Sequence, residues 1–226
     1  MCKRLMVFLA LLVGVMAMMG TEETMAFPRV GGWGVSCPIV NGVPKCSLYC
    51  DALLKGVGNP DVNPTSVDCI LENITMQVLC ANHGDQDGGE GRVFTFDGTT
   101  TETVLINWDS FTSNGQAVAD VYFSDCSFYN KVKDLTDVCI NPNWYIIPPS
   151  GWTPGWQEGD ECSENSTGGT FTVLETDVAI ITYGDDGYYY AVTGHCTLNT
   201  DPTNPGYSCT ETDRGRCADS TCSNIL

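Results

Sequence analysis

The chain has 226 residues, with 28 acidic side chains against 10 basic ones and a formal net charge of −18. Phosphate recognition needs clustered lysine and arginine, so this balance excludes nucleic acid and disfavours anionic membrane surfaces as partners. Cations and uncharged surfaces stay open.

Residues 1–26 read as a signal peptide. Lys3 and Arg4 precede an apolar run from Leu5 to Met19, and a polar stretch then ends in Thr24-Met25-Ala26, with small side chains where a signal peptidase cuts. The run falls short of the roughly 20 apolar residues of a membrane span. Removing Cys2 with the leader leaves an even set: Cys37, Cys46, Cys50, Cys69, Cys80, Cys126, Cys139, Cys162, Cys196, Cys209, Cys217 and Cys222. In an oxidising compartment such a set is expected to form disulfides, with a pairing that spacing alone does not reveal.

Residues 27–36 are glycine-rich around Trp33 and read as an extended N-terminal arm, which either lies along a neighbour's strand edge or folds onto its own domain. A β-rich, disulfide-stapled domain is expected over 37–195. Within it, Leu48 to Val57 reads as one or two helical turns closed by Gly56 and Gly58. Ile74, Met76, Val78 and Cys80 alternate with polar residues as in a half-buried strand. Arg92 to Phe96 and Thr103 to Trp108 follow as strands, the second with Val104, Ile106 and Trp108 on one face. Ala117 to Phe123 puts Ala119, Val121 and Phe123 on one face and Asp120 on the other. Phe128, Val132 and Leu135 are spaced for a short amphipathic helix.

The segment around 141–160 concentrates proline and tryptophan and reads as a packed loop or a lobe boundary. Phe171 to Leu174 and Val178 to Tyr183, then Gly184-Asp185-Asp186-Gly187, then Tyr188 to Thr193, give the best hairpin signal. Strand signals vanish over 196–226, which reads as a Cys-rich C-terminal tail. The sum is a mainly β protein: an antiparallel sandwich or barrel-like fold, disulfide-rich, with little helix and long loops.

Candidate chemistry is sparse. G-x-S-x-G, H-E-x-x-H and the P-loop are missing, and no catalytic residue is assigned. His83 follows Cys80 by three residues and His195 adjoins Cys196, but the paired C-x2-C knuckles of structural zinc sites do not occur. Asp85, Asp87 and Glu90 offer carboxylates to calcium, the one cofactor in view, which takes about six to eight oxygens. The same residues also suit an acidic turn. Trp144, Trp152, Trp156 and Tyr189 offer flat rings to a glycan or a protein. Asn73 and Asn165 begin N-x-S/T triplets.

The leading expectation is a secreted, non-enzymatic structural or adhesive protein that contacts itself, another extracellular protein or a glycan. The alternatives are a carbohydrate-binding module built on the tryptophan loop and a secreted hydrolase using paired carboxylates.

Overall fold

In the computed structural model the described residues are 29–36, 39–40, 43–44, 48–59, 65–82, 90–112, 114–133, 135, 138–139, 144–146, 171–184, 186–199, 206–223 and 225. Residues 1–26, read above as a signal peptide, lie outside them, as do His83, Asp85, Asp87, Trp152, Trp156, Asn165, Cys37, Cys46 and Cys162 and most of 141–160.

The strands are β1 (Arg29–Ser36), β2 (Ile39–Val40), β3 (Val43–Pro44), β4 (Leu48–Lys55), β5 (Ser66–Asn82), β6 (Glu90–Phe96), β7 (Thr100–Leu105), β8 (Ala117–Phe123), β9 (Trp144–Ile146), β10 (Phe171–Tyr183), β11 (Tyr189–Asn199) and β12 (Gly206–Cys217). Among the described residues one α-helix, α1, spans Asp125–Val132. The protein is mainly β and antiparallel, as its alternating pattern predicts. A three-stranded sheet runs β1-β4-β8, and a seven-stranded sheet runs β12-β11-β10-β5-β6, with β7 and β9 also on β5. β2 and β3 form a separate pair.

The buried faces of the two larger sheets meet in a common core. Leu48, Cys50, Ala52 and Leu54 of β4 and Ala117, Ala119, Val121 and Phe123 of β8 oppose Val67, Cys69, Leu71, Ile74, Met76 and Val78 of β5. The Cys50–Cys69 disulfide crosses this core and joins one sheet to the other. Cys80–Cys139, Cys196–Cys209 and Cys217–Cys222 are also bonded, and Cys126 is disulfide-bonded too.

β5 is the organising strand. β10 lies along one side of it, while β7 and then β6 follow end to end along the other. The second half of β10, Val178 to Tyr183, is mostly apolar on both faces, with Val178, Ile180 and Thr182 buried on one and Ile181 on the other, as suits a central strand. The β10–β11 hairpin turns where its sequence signals it. Gly184 donates to the Tyr188 carbonyl, and Gly187 takes φ +85, a backbone region glycine enters without strain.

Four expectations need correction. Leu48–Lys55 is a strand, not helical turns: its residues alternate buried and half-buried, so the period is two. The tail reading of 196–226 misses the end of one strand and the whole of another, because β11 continues to Asn199 and β12 occupies Gly206–Cys217. β12 is a polar edge strand, and its cue is the unpaired backbone of β11 rather than apolar periodicity. Trp108 does not share a face with Ile106. The strand stops at Leu105, Asn107 caps a 3-10 turn, and Trp108 is left 54% exposed. Leu135 lies past the end of α1, which buries Phe128, Tyr129 and Val132 instead.

The N-terminal arm forms β1 and pairs with β4 of its own chain. Trp33 points between the sheets, where its indole N–H donates to Glu211 Oε2 at 3.0 Å. Arg214 grips the same carboxylate and also donates to the Val30 carbonyl, so β1 is tied to β12 across the sandwich.

Candidate functional site

The residues singled out from sequence do not come together among the described residues. Trp144 in β9 is half-buried, packs against the main core and opposes Asn82 at the C-terminal end of β5. Tyr189 sits near the other end of that strand, in a small cluster with Ile181, Ala191, Cys217 and Cys222, and its ring lies 4.9 Å from that of Tyr183. Glu90 begins β6 opposite Cys80. No group of three His, Cys, Asp or Glu side chains able to hold a metal lies among the described residues.

Two polar constellations emerge that the sequence does not display. The first is on the outer face of the seven-stranded sheet. His195 Nδ1 lies 2.8 Å from Asp177 Oδ1, and its Nε2 lies 3.3 Å from Glu175 Oε1. Asn73, exposed and at φ 49, donates to Asp177 Oδ2 at 2.8 Å. Strand register explains the grouping, since Asp177 opposes both His195 on β11 and Glu72 on β5. Desolvation pushes the Asp177 carboxyl up, but hydrogen bonds from Asn73 and His195 outweigh it and hold the group below its usual range.

Thr197 Oγ1 lies 3.4 Å from His195 Nε2, so hydroxyl, imidazole and carboxylate stand in the order of a nucleophile relay. Glu175 lies slightly closer to the same Nε2, however. Hydroxyl and carboxylate thus share one ring nitrogen, and the group links β5, β10 and β11 through polar contacts.

The second constellation is the outer face of the three-stranded sheet. Tyr49 opposes Tyr122, Asp51 opposes Asp120, and Leu53 opposes Val118 across β4 and β8. The tyrosine rings are 4.8 Å apart and tilted by 41°. On β1 the neighbours of Asp51 and Leu53 are Gly34 and Gly32. With no side chain there, the face carries a depression of about 340 Å3 lined by Gly32, Trp33, Gly34, Asp51, Ala52, Leu53 and Val118. Every lining residue comes from β1, β4 or β8, so no other described element covers it.

Its electrostatics are unusual for a sheet surface. Like charges directly opposite each other destabilise a strand pair. Burial pushes the Asp51 carboxyl up, a hydrogen bond with Ser36 opposes this, and Asp120 adds repulsion in the upward direction. Burial, then Tyr122 and the two aspartates, also push the Tyr49 hydroxyl up. The alternation of β8 already directs Asp120 outward. Asp51 and Tyr49 follow only once Leu48–Lys55 is recognised as a strand.

The chain matches no family model, no curated protein and no solved structure.

Proposed function

We propose that the chain is a secreted, non-enzymatic protein, structural or adhesive, that works through surface contacts. The carrying observation is the face of the three-stranded sheet that no other described element covers. Val118 and Tyr122 are 37% and 43% exposed there, beside the depression over Gly32 and Gly34. Tyrosines with both a flat apolar ring and a polar tip are suited to recognition surfaces.

Secretion is supported by the leader pattern of residues 1–26 and by the four described disulfides, which persist in oxidising compartments. Among the described residues no helix is long and apolar enough to cross a membrane. The partner is a component of the extracellular surroundings, protein or glycan, rather than nucleic acid.

The test is retention. The mature protein, labelled and added back to the surface of the secreting cells, should bind. A Val118→Ser, Tyr122→Ser double variant that folds normally should be released. Equal retention of the double variant would move the contact away from this face. Turnover of chromogenic esters or glycosides by the purified protein would replace the reading with an enzymatic one.

A further inference from the structure

We propose that the outer face of the three-stranded sheet docks a basic segment of a partner polypeptide. An arginine or lysine head would lie between Asp51 and Asp120 beside the Tyr49–Tyr122 pair, its stem in the trough over Gly34 and Gly32. This rests on the reading of that face as a contact surface and names the chemistry of its partner.

Charge complementarity carries the assignment. Two carboxylates face each other across β4 and β8, and among the described residues no lysine or arginine forms an ion pair with either. Lys55, the basic residue on the same face of β4, is two side-chain positions beyond Asp51 and instead lies over Gly31. An incoming cation would relieve the repulsion between the two carboxylates, which no described lysine or arginine offsets.

The neighbouring groups suit an organic cation on an aliphatic stem. Cations are attracted to the faces of tyrosine rings, and Tyr49 and Tyr122 stand one pair along from the aspartates. Leu53 and Val118 border the trough on the other side and would pack against methylenes.

The glycines are the second argument. Among the described residues, a β-carbon at Gly34 would meet nothing within 4 Å, and one at Gly32 would meet only Leu53 at an ordinary 3.8 Å. Neither crowding nor a positive φ demands glycine at these positions. Glycine weakens a strand and often marks a site where something approaches closely. What it leaves here is room above the sheet.

A second copy of the chain is the poorer occupant. A twofold contact would set the aspartate pair against itself on a molecule that already carries −18.

Isothermal titration of the full mature chain tests this with a nine-residue, end-capped peptide of alternating serine and arginine. The same peptide with citrulline, a neutral isostere, is the control. The arginine peptide should bind and the citrulline peptide should not. Asp51→Asn with Asp120→Asn should weaken binding about tenfold or more. Asp97→Asn with Asp213→Asn removes as much charge from elsewhere and should change it less than about twofold. Gly34→Leu, which fills the trough and leaves both carboxylates, should also weaken binding.

Equal losses in the two double variants would reduce the effect to overall acidity and overturn the proposal. So would equal binding of the two peptides, or calcium displacing the peptide from the parent chain. A dimer that Gly34→Leu dissolves would assign the face to self-association instead. If the arginine peptide stays silent while Val118→Ser, Tyr122→Ser still abolishes retention on cells, the contact face stands and its partner chemistry fails. If both are silent, the surface reading falls as well.

Discussion

The indole of Trp33 lies against the backbone of Gly194. A β-carbon at Gly194 would overlap the Trp33 ring at Cη2 and stand 2.6 Å from the Thr210 carbonyl oxygen. β1 and the C-terminal hairpin thus share one close contact, and the tryptophan fits because position 194 has no side chain.

Gly194→Ala is therefore expected to destabilise the fold by about 1–3 kcal/mol through overpacking. Trp33→Ala removes the larger obstacle, so the two changes together should cost less than the sum of their separate effects. Urea unfolding of the four members of this cycle measures the coupling. Strict additivity would mean that the indole and Gly194 do not meet in solution.

Glu211 links this contact to pH. The Arg214 hydrogen bond, aided by the Trp33 N–H and opposed by desolvation, lowers its carboxyl from 4.5 to about 2. A depressed folded value means the stabilisation is present above the ordinary carboxylate pKa and is lost as pH falls through about 2. Glu211→Gln should thus lower stability at pH 7 and match the parent near pH 2. The carboxylate is 40% exposed, so added salt should narrow the gap at pH 7. An unchanged gap at pH 2 would assign the effect to packing rather than charge.

Asp120 carries the opposite sign. Burial raises the Asp51 carboxyl most, and the charge of Asp120 raises it further, so the facing pair costs stability wherever both are ionised. Asp120→Asn should stabilise the protein at pH 7 by about 0.2–1 kcal/mol, with the gain fading as pH falls below the carboxylate range. A destabilised variant would show that the Asp120 side chain makes favourable contacts that outweigh its repulsion with Asp51.

The disulfides should differ in weight with the span they close. Loop entropy predicts losses of about 4 kcal/mol for Cys80–Cys139, about 3 for Cys50–Cys69 and about 2 for Cys217–Cys222. Their separations are 59, 19 and 5 residues. Paired Cys→Ala variants, compared by urea midpoint, should follow that order. A reversed order would place their contribution in native packing instead.

Much of the sandwich is legible from residue alternation. Ala117, Ala119, Val121 and Phe123 are buried in β8, and Ile74, Met76, Val78 and Cys80 in β5, as a period of two requires. The hairpin at Gly184–Gly187 is equally plain in its turn chemistry. β4 escapes because Leu53 and Leu54 are adjacent, which blurs the alternation of the residues before them. β12 escapes because an edge strand with mostly exposed side chains has no apolar face to display.

The candidate site was hidden for a different reason. Asp51 and Asp120, like Tyr49 and Tyr122, are far apart in sequence and become neighbours only through the register of β4 on β8. The same holds for Asn73, Asp177 and His195, which three strands bring together. Side-chain periodicity and turn residues are local, so the sequence by itself determined the β class, the hairpin and the acidic character. Which carboxylates face each other, which cysteines join and where glycine leaves a trough are matters of register. Backbone pairing between distant strands sets that register, and only the tertiary structure decided it.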